Sequence, residues 1–170
     1  MRGKHRDCMG VPPSPQPSPL KGEGGLTRSW NLRMAGQRTE NPTTTAQDWG
    51  VGPGKRVWVG GHNVEARREI ETYLTGTERP PTGPLDLGFI APTTGDEAVY
   101  FAGKLRYRIV STGLLWVVYP IPHSPIAYEF SGEIDDVVIG LFELGLTEIG
   151  RAQVGNNYTS TGFRPASMQL

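Results

Sequence analysis

Residues 114–119 read LLWVVY, six apolar side chains in a row with no polar residue at either alternating position. A strand that faces water on one side alternates, so a run apolar at every position belongs to a strand covered on both faces. Gly113 before it and Pro120 after it bound the run to strand length. This stretch therefore calls for a sheet with layers above and below it, and it is expected to be the central strand. Six residues are far short of the roughly 20 a bilayer span needs, and the first twenty residues lack the apolar centre of a signal peptide. No membrane partner is expected, and the location implied is cytoplasmic.

The flanking segments supply the layers. Residues 56–60 (RVWVG) form a strand after the turn Gly52-Pro53-Gly54 and close on Gly60-Gly61. Asn63 then caps a helix whose inner face carries Ala66, Ile70, Tyr73 and Leu74 and whose outer face carries Glu65, Arg67, Arg68, Glu69 and Glu71, with Gly76 as its stop. Residues 85–90 (LDLGFI) are a second strand. Thr94 and Glu97 have capping-box spacing ahead of Ala98, Phe101, Ala102, Leu105 and Ile109, which recur at helical intervals. Past the central strand, Ser131 is expected to cap a third helix with Ile134, Val137, Val138, Leu141 and Phe142 inward. Glu133, Asp135 and Asp136 fall in its first turn, where the helix dipole favours anions. Gly145 stops it. Residues 147–154 (TEIGRAQV) and 158–164 (YTSTGFR), joined by the turn residues Gly155-Asn156-Asn157, read as an antiparallel hairpin. The order β-α-β-α-β-α-β-β predicts an α/β fold, a mostly parallel sheet with helices on both faces.

Composition separates the two ends of the chain. Of 23 Gly and 15 Pro, many fall in the first fifty residues, and residues 10–25 read GVPPSPQPSPLKGEGG. Proline removes donors and holds its predecessor extended, so residues 1–47 are expected to be a disordered tail, with a ligand for a proline-binding module as the functional alternative. The PSPQPSPLKGEG string resembles translated intergenic repeats of bacterial genomes, and Met34 offers an alternative start. The domain is placed at residues 48–170, with Trp49 its first large apolar anchor. Lys plus Arg equals Asp plus Glu, 17 each, and residues 53–170 hold ten basic against thirteen acidic side chains. That balance gives no electrostatic case for nucleic acid. The single cysteine, Cys8, builds neither a disulfide framework nor a thiolate metal site.

The strand ending in two glycines, the Asp-bearing second strand, GLLWVVYP and the hairpin closing on Thr161-Gly162-Phe163-Arg164 together resemble the later half of the class I methyltransferase fold. Residues 52–165 more closely resemble a small bacterial domain family of unknown function that looks like this core stripped of two βα units. The resemblance implies a three-layer Rossmann-like sandwich of five strands in the order 1-2-3-5-4. In the larger family the first strand carries an acid, and a further strand ends in the acid that holds the ribose of S-adenosylmethionine. Here the turn reads Val57-Trp58-Val59-Gly60-Gly61-His62-Asn63, and the ribose-binding strand has no counterpart. No cofactor is expected.

Ligands of open α/β sheets bind beyond the carboxyl ends of the strands. The loops that reach that edge carry Gly60, Gly61, His62 and Asn63, then Thr93 and Thr94, then His123. Gly60-Gly61 before a helix suits either an anion pocket or a tight turn without a ligand. His62 and His123 suit a shared metal, acid–base work or plain surface positions. No carboxylate lies in those loops to orient an imidazole, so no catalytic or metal residue is assigned. Tyr119, Tyr128 and Trp116 are expected in or beside the core and Arg164 at the opposite edge. The function read from the sequence is a non-catalytic small-ligand or protein-interaction module. The alternative is a residual enzyme related to S-adenosylmethionine-dependent methyltransferases. An acid or base on the carboxyl edge would favour the enzyme.

Overall fold

In the computed structural model, which describes residues 48–166, the apolar run lies in the middle strand of five, where its two-faced character requires it to be. The proline-rich tail, Cys8 and Met34 lie outside the described residues. The elements in chain order are β1 (Val57–Gly60), α1 (Val64–Glu71), β2 (Leu85–Ile90), α2 (Gly95–Leu105), β3 (Ile109–Pro120), a single 3-10 turn (Ala127–Glu129), α3 (Ile134–Glu143), β4 (Leu146–Val154) and β5 (Tyr158–Pro165). The sheet order is β1-β2-β3-β5-β4. β1, β2 and β3 are parallel, and β5 runs antiparallel between β3 and β4. This is a Rossmann-like α/β sandwich with a terminal hairpin. No helix among the described residues is long and apolar enough to cross a membrane.

Alternation along β3 divides the core in two. Leu115, Val117 and Tyr119 face α2 and α3, where Ala98, Ala102, Leu105, Val137 and Leu141 are buried against them. Trp116 and Val118 point to the other face, covered by Ala66 and Ile70 of α1 and by Trp49. β2 follows suit with Leu87 and Phe89 on one side and Ile90 on the other, after a register irregularity between Leu85 and Leu87.

Trp49 belongs to no regular element, yet it is fully buried. Its ring lies 4.9 Å from that of Phe89 and 5.0 Å from that of Tyr73. Its Nε1 donates to Ser160 Oγ at 3.3 Å, and its carbonyl accepts from Trp116 Nε1 at 3.2 Å. An eight-residue helix cannot cover this face of the sheet alone, and the indole fills what α1 leaves open.

Four expectations are corrected. Ile109 opens β3 rather than closing α2, because the chain leaves the helix at Leu105 and must reverse to pair beside Leu85. Ser131 does not cap α3, whose N-cap is Glu133. Its backbone is drawn away to Thr93 and Gly95, to which it gives and from which it takes hydrogen bonds of 2.8 and 3.1 Å. Phe142 and Tyr128 are exposed, because the packing of α3 ends at the Val137–Leu141 row and the 3-10 turn projects its middle residue outward.

Replacing Trp49 by Ala is expected to cost about 3–5 kcal/mol in chemical denaturation, the range for emptying a core aromatic site. A loss under about 1 kcal/mol would show that α1 covers the face unaided.

Candidate functional site

The carboxyl ends of β1, β2 and β3 meet the turn of the terminal hairpin at one edge. Tyr158 pairs with Pro120, and the Asn157 carbonyl accepts from the Ile121 N–H at 2.8 Å. All seven residues singled out in the sequence lie at this edge, Gly60 as the last residue of β1 and the other six in the loops.

The β1 turn is fixed by backbone approach. Gly61 has φ +111°, and a Cβ on it would stand 2.1 Å from the Ala91 carbonyl oxygen. That carbonyl accepts from the Asn63 N–H at 3.0 Å, while the Ala91 N–H donates to Gly60 at 2.8 Å. The space a Gly60 side chain would need is filled by the Trp58 indole. Both glycines are thus used by contacts within the chain. Asn63 is buried, caps α1 by accepting from the Ala66 N–H at 2.9 Å, and donates from Nδ2 to Glu129 at 3.1 Å.

Thr94 caps α2 as its spacing predicts, accepting from the Glu97 N–H at 3.1 Å. Glu97 does not turn back to Thr94 to close the box. One carboxylate oxygen accepts from Thr93 N–H at 2.7 Å and Thr93 Oγ1 at 2.9 Å. The other accepts from the His62 N–H at 2.7 Å and stands 2.7 Å from His62 Nδ1. The sequence reading placed no carboxylate where it could orient an imidazole. Glu97 is that carboxylate, delivered by a helix rather than a loop, and it could be found only by knowing that β1 and β2 are neighbours. Burial pushes Glu97 up, but the two bonds from Thr93, the His62 N–H and the imidazole beside it outweigh this and hold the carboxyl below its usual value.

His62 itself is 75% exposed at the side chain and rests beside the Phe101 ring. The imidazole thus stands with Nδ1 against the Glu97 carboxylate while most of its side chain is open to solvent. A carboxylate held by other bonds beside a ring nitrogen is one element of an acid–base site.

Glu129, also absent from the sequence reading, is the second carboxylate of the edge. It accepts from Asn63 and from the Tyr158 hydroxyl at 3.0 Å. Burial, followed by the Glu129 bond and charge, pushes the Tyr158 phenol well above its ordinary range, so it remains a donor at neutral pH. His123 shares no partner with His62. It has φ +66°, makes no hydrogen bond or ion pair to a described residue, and lines a cavity at the end of β3. Among the described residues no group of three or more His, Cys, Asp or Glu could hold a metal. A second cavity, about 310 Å³, opens between the starts of α2 and α3 and includes Thr94, Asp96, Ser131 and Asp136 in its wall.

No protein-family model matches the chain, and no curated protein matches it. Solved structures do. A TehB-like SAM-dependent methyltransferase from Corynebacterium glutamicum is 11% identical, with TM-score 0.45 over 81% of this chain and 94% of its own. A SAM-dependent methyltransferase from Aquifex aeolicus is 12% identical, with TM-score 0.45 over 69% and 85%. The fibrillarin of Aeropyrum pernix, solved with S-adenosyl-L-methionine natively bound, is 7% identical, with TM-score 0.44 over 80% and 74%. At these identities the likeness concerns the fold alone.

Two measurements check the edge. Gly61→Val forces a side chain into the left-handed region and against a carbonyl, at an expected cost of about 2–5 kcal/mol from strain and overpacking together. Glu97→Gln is expected to cost about 1–3 kcal/mol at pH 7. Because the folded chain holds Glu97 below its ordinary 4.5, that contribution is complete above this value and fades as pH falls through the lower folded value. Denaturation of both proteins across pH 2–7 should therefore bring their stabilities together at the acid end; a constant gap would assign the effect to shape rather than charge.

Proposed function

We propose that this domain is an enzyme of methyltransferase-like architecture in which His62, oriented by Glu97, gives and takes protons from a small molecule held at the carboxyl edge. The observation that carries the reading is the 2.7 Å contact between Nδ1 of a largely exposed His62 side chain and a largely buried carboxylate. A non-catalytic module has no need of an imidazole set against a buried carboxylate at its ligand edge; the sequence favoured such a module because the family's cofactor-binding acids are missing and the edge loops carry no carboxylate. The partner is taken to be a small molecule rather than nucleic acid or membrane, given the equal acidic and basic counts.

S-adenosylmethionine does not fit this edge. The His62 amide of the β1 turn is already bonded to Glu97, and Gly61 is closed off by the Ala91 carbonyl. No strand ending in an acid stands between α1 and β2 to take a ribose diol, since α1 leads by way of a proline loop directly to β2. A hydrogen bond to a charged group contributes about 1.5–3 kcal/mol, so the missing acid alone weakens binding by about ten- to a hundredfold. The chemistry assigned to His62 is proton transfer with no cofactor.

The test has two arms. Calorimetric titration of the full chain with S-adenosylmethionine should show no dissociation constant below about ten micromolar, the level of an ordinary cofactor site. A panel of small hydroxyl, thiol and amine compounds, screened by thermal shift and then for turnover, should yield a substrate whose conversion falls by about 10²–10⁴-fold in His62→Gln. The melting temperature should be unchanged in that variant, because His62 is exposed. Turnover that survives the substitution, or a panel with none, would return the domain to the non-catalytic reading.

A further inference from the structure

The cavity at the end of β3 measures about 270 Å³ and differs in character from the rest of the carboxyl edge. Tyr119 and Phe130 form an aromatic wall, their rings 5.9 Å apart, and Ile134 adds an apolar side. Pro122 stiffens the mouth, and His123 beside it is held in a left-handed backbone that residues other than glycine rarely adopt. The Tyr119 hydroxyl is engaged with Thr161 Oγ1 at 3.0 Å and the residue is buried, so Tyr119 backs the wall while the half-buried Phe130 ring carries its accessible part. Two polar residues at the rim of the cavity, His123 and Glu133, are exposed and have no described side-chain partner. Glu133 is the N-cap residue of α3, yet its side chain makes no capping bond.

That combination defines a ligand. An aromatic wall of this size takes one flat ring, and the charged group at its rim is an anion with no cation beside it. Asp96 and Asp136, in the wall of the adjoining cavity that shares Gly132 and Glu133, give the surroundings the same sign. An anionic ligand would be repelled and a neutral one would leave Glu133 unused. We propose that this cavity binds a small aromatic amine, its ring against Tyr119 and Phe130 and its ammonium donating to Glu133, with His123 as the second polar contact. The inference rests on the carboxyl edge being the working surface, and it names the class of molecule held there.

The probe is benzylamine, with benzyl alcohol and benzoate as the neutral and anionic arms, titrated into the full ¹⁵N-labelled chain and followed by NMR. Benzylamine is expected to give saturable shifts centred on His123, Phe130, Glu133 and Ile134, with benzoate at least about tenfold weaker, the scale of one charge-assisted hydrogen bond. Glu133→Gln should weaken benzylamine by about tenfold and leave benzyl alcohol unchanged. Ala127→Phe, which fills the cavity from the 3-10 turn, should abolish both. Equal affinity for benzoate and benzylamine, or full affinity in Glu133→Gln, would overturn the proposal. Shifts centred on His62 and Phe101 would also overturn it while leaving the acid–base reading intact. A normal benzylamine response together with His62-independent turnover would separate the two the other way.

Discussion

β3 must be kept from water on both faces, and the architecture follows from meeting that requirement twice. On one side α2 and α3 lie over Leu115, Val117 and Tyr119; on the other α1 and Trp49 lie over Trp116 and Val118. A large side chain on the central strand needs a small neighbour. A Cβ on Gly162 of β5 would stand 2.5 Å from the Trp116 ring, and one on Gly88 of β2 would stand 2.8 Å from Leu115. Burying each such side chain contributes about 1.5–3 kcal/mol, so either layer alone would leave half of this gain unrealised.

The carboxyl edge is tied together by two glutamates that act between loops. Glu97 joins the turn after β1 to the turn after β2, and Glu129 joins Asn63 to Tyr158 at the start of β5. Loops are ordinarily the mobile part of an α/β domain. Here the sheet supplies a rigid base, and charge-assisted hydrogen bonds hold the loops to one another. The same bonds that steady the edge also fix the His62 backbone, with its imidazole standing beside the Glu97 carboxylate.

What could be read from the sequence was what depends on neighbours along the chain. Asn63 and Thr94 as caps, Gly145 as a stop, the hairpin at Gly155-Asn156-Asn157 and the two-faced run of β3 are local facts of periodicity and capping chemistry. Arg164, expected opposite the ligand edge, does pair with Thr147 at the far end of β5. Glu97 shows the limit. Its spacing from Thr94 announced a capping box, but the direction of its carboxylate is decided by His62, thirty-five residues earlier and adjacent only through the β1–β2 pairing. Helical spacing likewise brought Phe142 inward because it records which face a residue occupies, not how far the partner layer extends. Glu129 lies in a short turn between prolines and α3 that carries no periodic signal at all.

Trp49 places a demand on the order in which this chain can fold. Its hydrogen bond to Ser160 spans 111 residues, and the rings it packs on belong to β2 and the segment after α1. During synthesis the indole emerges before nearly everything it will touch, and its last partner arrives with the final strand. Contacts of such long sequence separation slow folding and keep apolar surface open meanwhile. The layer over Trp116 therefore closes only once β5 is available, and one face of the sheet waits for the rest of the domain to be made.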